Sequence, residues 1–142
     1  MNITVVPMTW DDAALAGWLA LGGGAGAALR YVLDVAVSSR WRRPFPLATF
    51  LINVSGSLAL GLLVGWFYAG AAKPGWSLAV SVIGTGLLGG YTTFSTASYD
   101  TLRLGREGRV VMALAYAVGT MAATIAAAAS GLWLGEWWAT VG

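Results

Sequence analysis

The sequence has 142 residues, 58% of them hydrophobic and only 10% charged, with a formal net charge of +2 and a mean hydropathy of +0.72. A soluble domain carries about 25% charged residues, so eight cations and six anions cannot clothe a water-facing surface of this size, and the chain reads as an all-α integral membrane protein. The absence of Cys and His removes disulfides, thiolate nucleophiles and the commonest general base and metal ligand. The few cations form no basic stripe for nucleic acid.

Residues 13–29, 44–72, 74–99 and 110–135 carry no charge. A membrane helix needs about 20 apolar residues to cross a core of about 30 Å. The sequence therefore predicts four transmembrane helices at about 13–36, 46–70, 75–98 and 109–134, forming one membrane domain over 1–142. The stretch before the first span has no Lys or Arg and does not read as a standard secretory signal.

Span one holds Gly22 and Gly26 one turn apart, and carries Arg30 and Asp34 in its last third. A loop with Arg40, Arg42 and Arg43 leads to Pro44 and Pro46 at the start of span two. There Thr49, Asn53 and Ser57 recur every four residues, a polar ladder about 12 Å long on one face. Ser57, Gly61 and Gly65 repeat at the same spacing, a pattern that lets helix backbones approach closely in lipid. Lys73, Pro74 and Gly75 predict a tight turn before span three.

Span three contains Gly84, Gly86, Gly89 and Gly90, followed by Tyr91, Thr92, Thr93, Phe94, Ser95 and Thr96. Glycine costs about 1 kcal/mol relative to Ala in a helix interior, so the third helix is predicted to break at mid-membrane. Such a break is tolerated only where it is buried in protein or lines a wet cavity. Its freed carbonyls would suit a small hard cation such as sodium. Gly105 and Gly108 flank Arg106 and Glu107 in the last loop, and span four carries a second ladder, Tyr116, Thr120 and Thr124. Trp10, Trp41, Trp66, Trp76, Trp133, Trp137 and Trp138 lie near predicted span ends, as an interfacial aromatic belt would.

Arg40, Arg42, Arg43, Arg103, Arg106 and Arg109 occupy or border loops one and three, against Lys73 on the other side. The positive-inside rule places those loops in the cytoplasm, with one fixed orientation. No carboxylate lies centrally in a span, since Asp34 and Asp100 fall near span ends. A proton-coupled small multidrug exporter needs such a group, and a non-transporting membrane assembly protein needs no polar ladders. An enzyme is excluded by the lack of any evident acid, base or nucleophile. An amide, hydroxyls and aromatic ring edges remain. These neutral donors can solvate a small anion without trapping it, as passive conduction requires.

These residues resemble the Fluc (CrcB) fluoride channel family. The matching pieces are Gly22-Gly23-Gly24-Ala25-Gly26-Ala27 with Arg30-Tyr31, then Pro46 with Thr49, Asn53 and Gly56-Ser57. The run Gly89-Gly90-Tyr91-Thr92-Thr93-Phe94-Ser95-Thr96 is the most specific. The resemblance implies an antiparallel, dual-topology-type dimer that exports cytoplasmic fluoride passively across the cell membrane and lowers its toxicity. It implies a structural Na+ held by the Gly89 and Thr92 carbonyls. It maps the fluoride pathway onto Asn53, Phe94, Tyr116, Thr120 and Thr124, with Thr49 and Arg30 nearby. Two departures stand out: Ala97 occupies the place of the family's second Phe, and the charge bias is stronger than in single-gene members. Beside a homodimer, both suit a heterodimer with an oppositely oriented homologue.

Overall fold

The computed structural model describes residues 10–71 and 77–141. The predicted Lys73-Pro74-Gly75 turn, Trp76 and the cation-free stretch 1–9 lie outside the described residues. Among the described residues all regular structure is helical. In hydrocarbon each backbone N–H and C=O needs an internal partner, and a helix supplies one within its own segment.

Helix α1 covers Trp10–Ser38 and α2 covers Leu47–Trp66. Wider π turns carry α2 on through Phe67–Ala71, where Gly70 adopts a φ of 86°. Helix α3, Ser77–Ser81, continues through a π-helical stretch, Val82–Leu88, into α4, Gly89–Tyr91. Thr92 (φ −76°, ψ 159°) and Thr93 (φ −150°, ψ 123°) are extended. Helix α5 follows at Phe94–Arg106 and α6 at Val110–Val141. Four helical segments are long and apolar enough to cross a membrane: Asp11–Ser38, Leu47–Gly70, Ser77–Arg106 and Val110–Val141. The chain is a multi-pass membrane protein.

The last helix runs past the span expected from the charge pattern. Its 32 residues make about 48 Å at a rise of about 1.5 Å each, well beyond a hydrocarbon core of about 30 Å. Glu136 ends the charge-free run without ending the helix, because a charge marks where apolar surroundings stop and leaves the backbone hydrogen bonds intact. Trp133, Trp137 and Trp138 in this last part are exposed, as interfacial side chains would be.

Two glycine seams organise the bundle. A Cβ built on Gly61 would stand 2.2 Å from the Ala128 carbonyl oxygen, and one on Gly131 would stand 2.3 Å from that of Leu58. Gly65 meets Leu132 and Gly135 meets Leu62 in the same way, so residue numbers rise together and α2 and α6 run parallel. In the second seam Gly22 and Gly26 of α1 face Val82, Leu87 and Tyr91, and Gly90 faces Gly23. That pair is also parallel. Arg40, Arg42 and Arg43 therefore share one end of the molecule with Arg103, Arg106 and Arg109. Near that end Leu104, Ala113 and Tyr116 form a small core, with Phe45, Phe50, Ala97 and Met112 packed against it.

Candidate functional site

The predicted polar ladder on α2 points inward at two of its three rungs. Thr49 and Asn53 are buried, and Ser57 is half-buried. Thr49 Oγ1 donates to Asp100 Oδ2 at 2.9 Å, and Arg103 Nη2 lies 3.2 Å from Asp100 Oδ1. Asp100 itself is buried. Sequence reasoning placed it at a span end and gave it no site role. The signal it missed was the Asp100–Arg103 spacing, which lets one helical turn pair the carboxylate.

Asn53 binds the extended link. Its Nδ2 donates to the Thr93 carbonyl at 2.8 Å, and its Oδ1 accepts from the Thr93 N–H at 2.8 Å. Thr93 Oγ1 in turn accepts from the Thr96 N–H at 3.2 Å and caps α5. In an uninterrupted helix the Thr93 amide would donate to Gly89 and the Thr96 amide to Thr92. Both amides are engaged elsewhere, which leaves the Gly89 and Thr92 carbonyl oxygens outside the helical ladder.

On α6, Tyr116 and Thr120 are buried, at 1% and 7% exposure, and among the described residues neither Tyr116 Oη nor Thr120 Oγ1 makes a hydrogen bond. Buried polar atoms are nearly always satisfied, and an unsatisfied one costs about 1–3 kcal/mol. Two in succession, one turn apart on one face, make the least expected feature of the bundle. Thr124, the third rung, differs: it is half-buried and donates back to the Met121 carbonyl at 2.9 Å. Tyr116 also packs edge-on against Phe45, with ring centres 5.5 Å apart.

A groove of about 1220 Å³ collects most of these groups. Asn53, Phe94, Tyr116, Thr120 and Thr124 line it, as do Gly89 and Thr92. Phe94 is 87% exposed there. Thr49 and Arg30 are not among its lining residues. Thr49 sits below, on the Asp100 side, and Arg30 is half-buried on α1.

The profile of the family described as "CrcB-like protein, Camphor Resistance (CrcB)" matches residues 17–132. The chain belongs to the CrcB family. Arg30, Thr49, Asn53, Gly89, Thr92, Phe94, Tyr116, Thr120 and Thr124 all lie inside that match. A relative from Leifsonia xyli named "Fluoride-specific ion channel FluC 1" is 45% identical over 117 residues, covering 82% of this chain and 83% of the relative. One from Streptomyces avermitilis with the same name is 47% identical over 121 residues, covering 84% and 95%. A Methylobacterium relative named "Fluoride-specific ion channel FluC" is 48% identical over 109 residues, covering 77% and 86%. The alignments between CrcB relatives therefore span the helical body rather than one motif, and the family is one of ion channels, not enzymes.

Proposed function

We propose that this chain is a subunit of a passive fluoride channel of the cell membrane, exporting cytoplasmic fluoride. The observation that carries the reading is the pair of buried, unpartnered hydroxyls at Tyr116 and Thr120 in a groove shared with Phe94. Each hydroxyl offers an O–H to an anion. The Phe94 ring edge carries partial positive charge. Fluoride gains hydrogen bonds from these groups and meets no fixed cation strong enough to hold it, which suits conduction. The names of the relatives support the same ion.

The finer architecture is part of this proposal. The extended Thr92–Thr93 link is the mid-membrane break of the third span, and the 1–142 chain acts as one membrane domain. The open groove with its exposed Phe94 is completed by a second chain in antiparallel orientation. The Gly89 and Thr92 carbonyls, released from helical bonding by the engagement of the Thr93 and Thr96 amides, fit a hard cation, and they would hold a structural Na+ at the dimer centre. That ion would supply charge that fixes the two links relative to each other. Ala97, packed against the chain's own Leu104–Ala113–Tyr116 core, leaves the aromatic lining short by one ring. A heterodimer with an oppositely oriented homologue would restore it.

Fluoride efflux from liposomes holding only this chain, under a valinomycin-set potassium gradient and with chloride as control, tests the reading. Potential-driven fluoride release without chloride release is the expected result. Release only after a homologous partner chain is added selects the heterodimer. No release in either case overturns the channel.

A further inference from the structure

Thr93 is tied down at every polar atom. Its N–H and C=O both bond to the Asn53 side chain, each at 2.8 Å, and its Oγ1 meets the Thr96 N–H at 3.2 Å and Thr96 Oγ1 at 3.0 Å. The Asn53 amide and the Thr93 backbone close a two-bond ring, of the kind two facing residues make across an antiparallel strand pair. An extended residue between two membrane helices has no helical partner for its amide or carbonyl, and leaving them unpaired in hydrocarbon is costly. Asn53 provides both partners from a neighbouring helix.

A second contact lies one turn along the same face of α2. A Cβ built at Gly56 would stand 2.3 Å from Thr92 Cγ2 and 3.0 Å from the Tyr91 ring. The link is thus pressed against α2 at Gly56 and bonded to it at Asn53. Phe94 is the first residue of α5, directly after this clamp, and its ring is 87% exposed. Little packing within the chain holds that ring. Its place in the groove it shares with Tyr116 and Thr120 is inherited from the backbone at Thr93.

We propose that Asn53 is a positioning residue: it splints the Thr92–Thr93 link to α2 and so aims Phe94 into the groove. The splint needs a donor and an acceptor in one plane at this reach. Asp lacks the donor, Ser spans one atom of the pair at most, and Gln is a methylene too long. The splint uses one of the two Nδ2 hydrogens, so it is compatible with a contact to the ion. The functional consequence rests on the reading of Phe94 as an ion contact, whereas the splint itself does not.

The test uses the full chain reconstituted in liposomes, with hydrogen–deuterium exchange read by peptide. A second probe is the 19F line of 4-fluorophenylalanine at position 94, assigned with the Phe94→Leu variant. In Asn53→Ala, exchange over 92–94 is expected to rise about tenfold or more while α2 and α6 keep theirs. The position-94 line is expected to split or broaden. Asn53→Ser gives the same pattern and serves if Asn53→Ala does not assemble. Unchanged exchange over 92–94 overturns the proposal. So does an equal rise along α2 and α6, which would mark a general packing role. Wild-type protein that conducts no fluoride defeats the pathway reading, while the exchange data still decide the splint.

Discussion

Thr49 and Asp100 are joined by a hydrogen bond of 2.9 Å between the first turn of α2 and the middle of α5. This bond, with Arg103 on the other carboxylate oxygen at 3.2 Å, makes a buried charge tolerable at the arginine-rich end of the bundle. Removing one partner of a buried charged group exposes its desolvation cost, whereas trimming a methyl does not. Thr49→Val is therefore expected to destabilise the protein by about 1–3 kcal/mol, and Thr49→Ser to be close to neutral. Thermal unfolding in detergent, followed by helical circular dichroism, separates the two.

Tyr116→Phe and Thr120→Val carry the opposite sign for stability. Among the described residues neither hydroxyl makes a hydrogen bond that could be lost, so deletion relieves an unsatisfied buried group. Stability is expected to hold or rise, by up to about 1–3 kcal/mol, while fluoride flux falls. A drop in stability with normal flux would identify the hydroxyls as structural. Measuring both quantities on the same preparations decides the matter.

The α2–α6 seam makes a size prediction. Gly131→Ala places a methyl against the Leu58 carbonyl oxygen, where the nearest atom to a Cβ is backbone that cannot swing aside. The expected cost is about 1–3 kcal/mol from overpacking. Gly119→Ala has nothing within 4 Å of its new Cβ, and a helix gains up to about 1 kcal/mol from that exchange. The two variants should move the unfolding temperature in opposite directions.

Orientation can be read on a clean background, because the chain contains no Cys. A single cysteine introduced at Ser39 should react in cells with a membrane-impermeant maleimide only after the cytoplasmic face is opened where the antiparallel partner is a homologue, whereas labelling of about half the copies beforehand selects the homodimer. Replacing Arg40, Arg42 and Arg43 by Gln leaves mainly Arg103, Arg106 and Arg109 to hold the bias. Mixed labelling from both faces is the expected result in that variant.

The four helices were legible because charge is so sparse that its gaps outline the spans. The glycine ladders at Gly22/Gly26 and Gly61/Gly65 were legible too, since spacing alone puts small residues on one face, although spacing does not say which helix they meet. Glu136 marks the end of the apolar run and not the end of the helix, for a helix outlasts the apolar slab that hosts its middle. The Asn53–Thr93 ring was out of reach: its partners are 40 residues apart, and nothing local in either segment marks the other. Asp100 was hidden for a related reason. Its proximity to a span end suggested solvent, but the start of α2 folds over it, which only the tertiary packing reveals. The orphaned hydroxyls were half legible. The Tyr116, Thr120 and Thr124 spacing was plain, yet only the structure separates the two without partners from Thr124, which bonds its own backbone.

The parallel seams bear on how the chain is made. Helices that run parallel cannot be sequence neighbours in a chain that crosses the bilayer with each span, so each seam joins a segment to the one two crossings later. During synthesis α1 waits for Val82–Tyr91, and α2 waits for α6. A ribosome that has delivered two crossings has delivered no seam at all, and the second closes only when the last helix leaves the translocon. Truncations after the second or third crossing should therefore be conspicuous clients of membrane quality-control proteases, and the final helix should act as the clasp that ends that exposure.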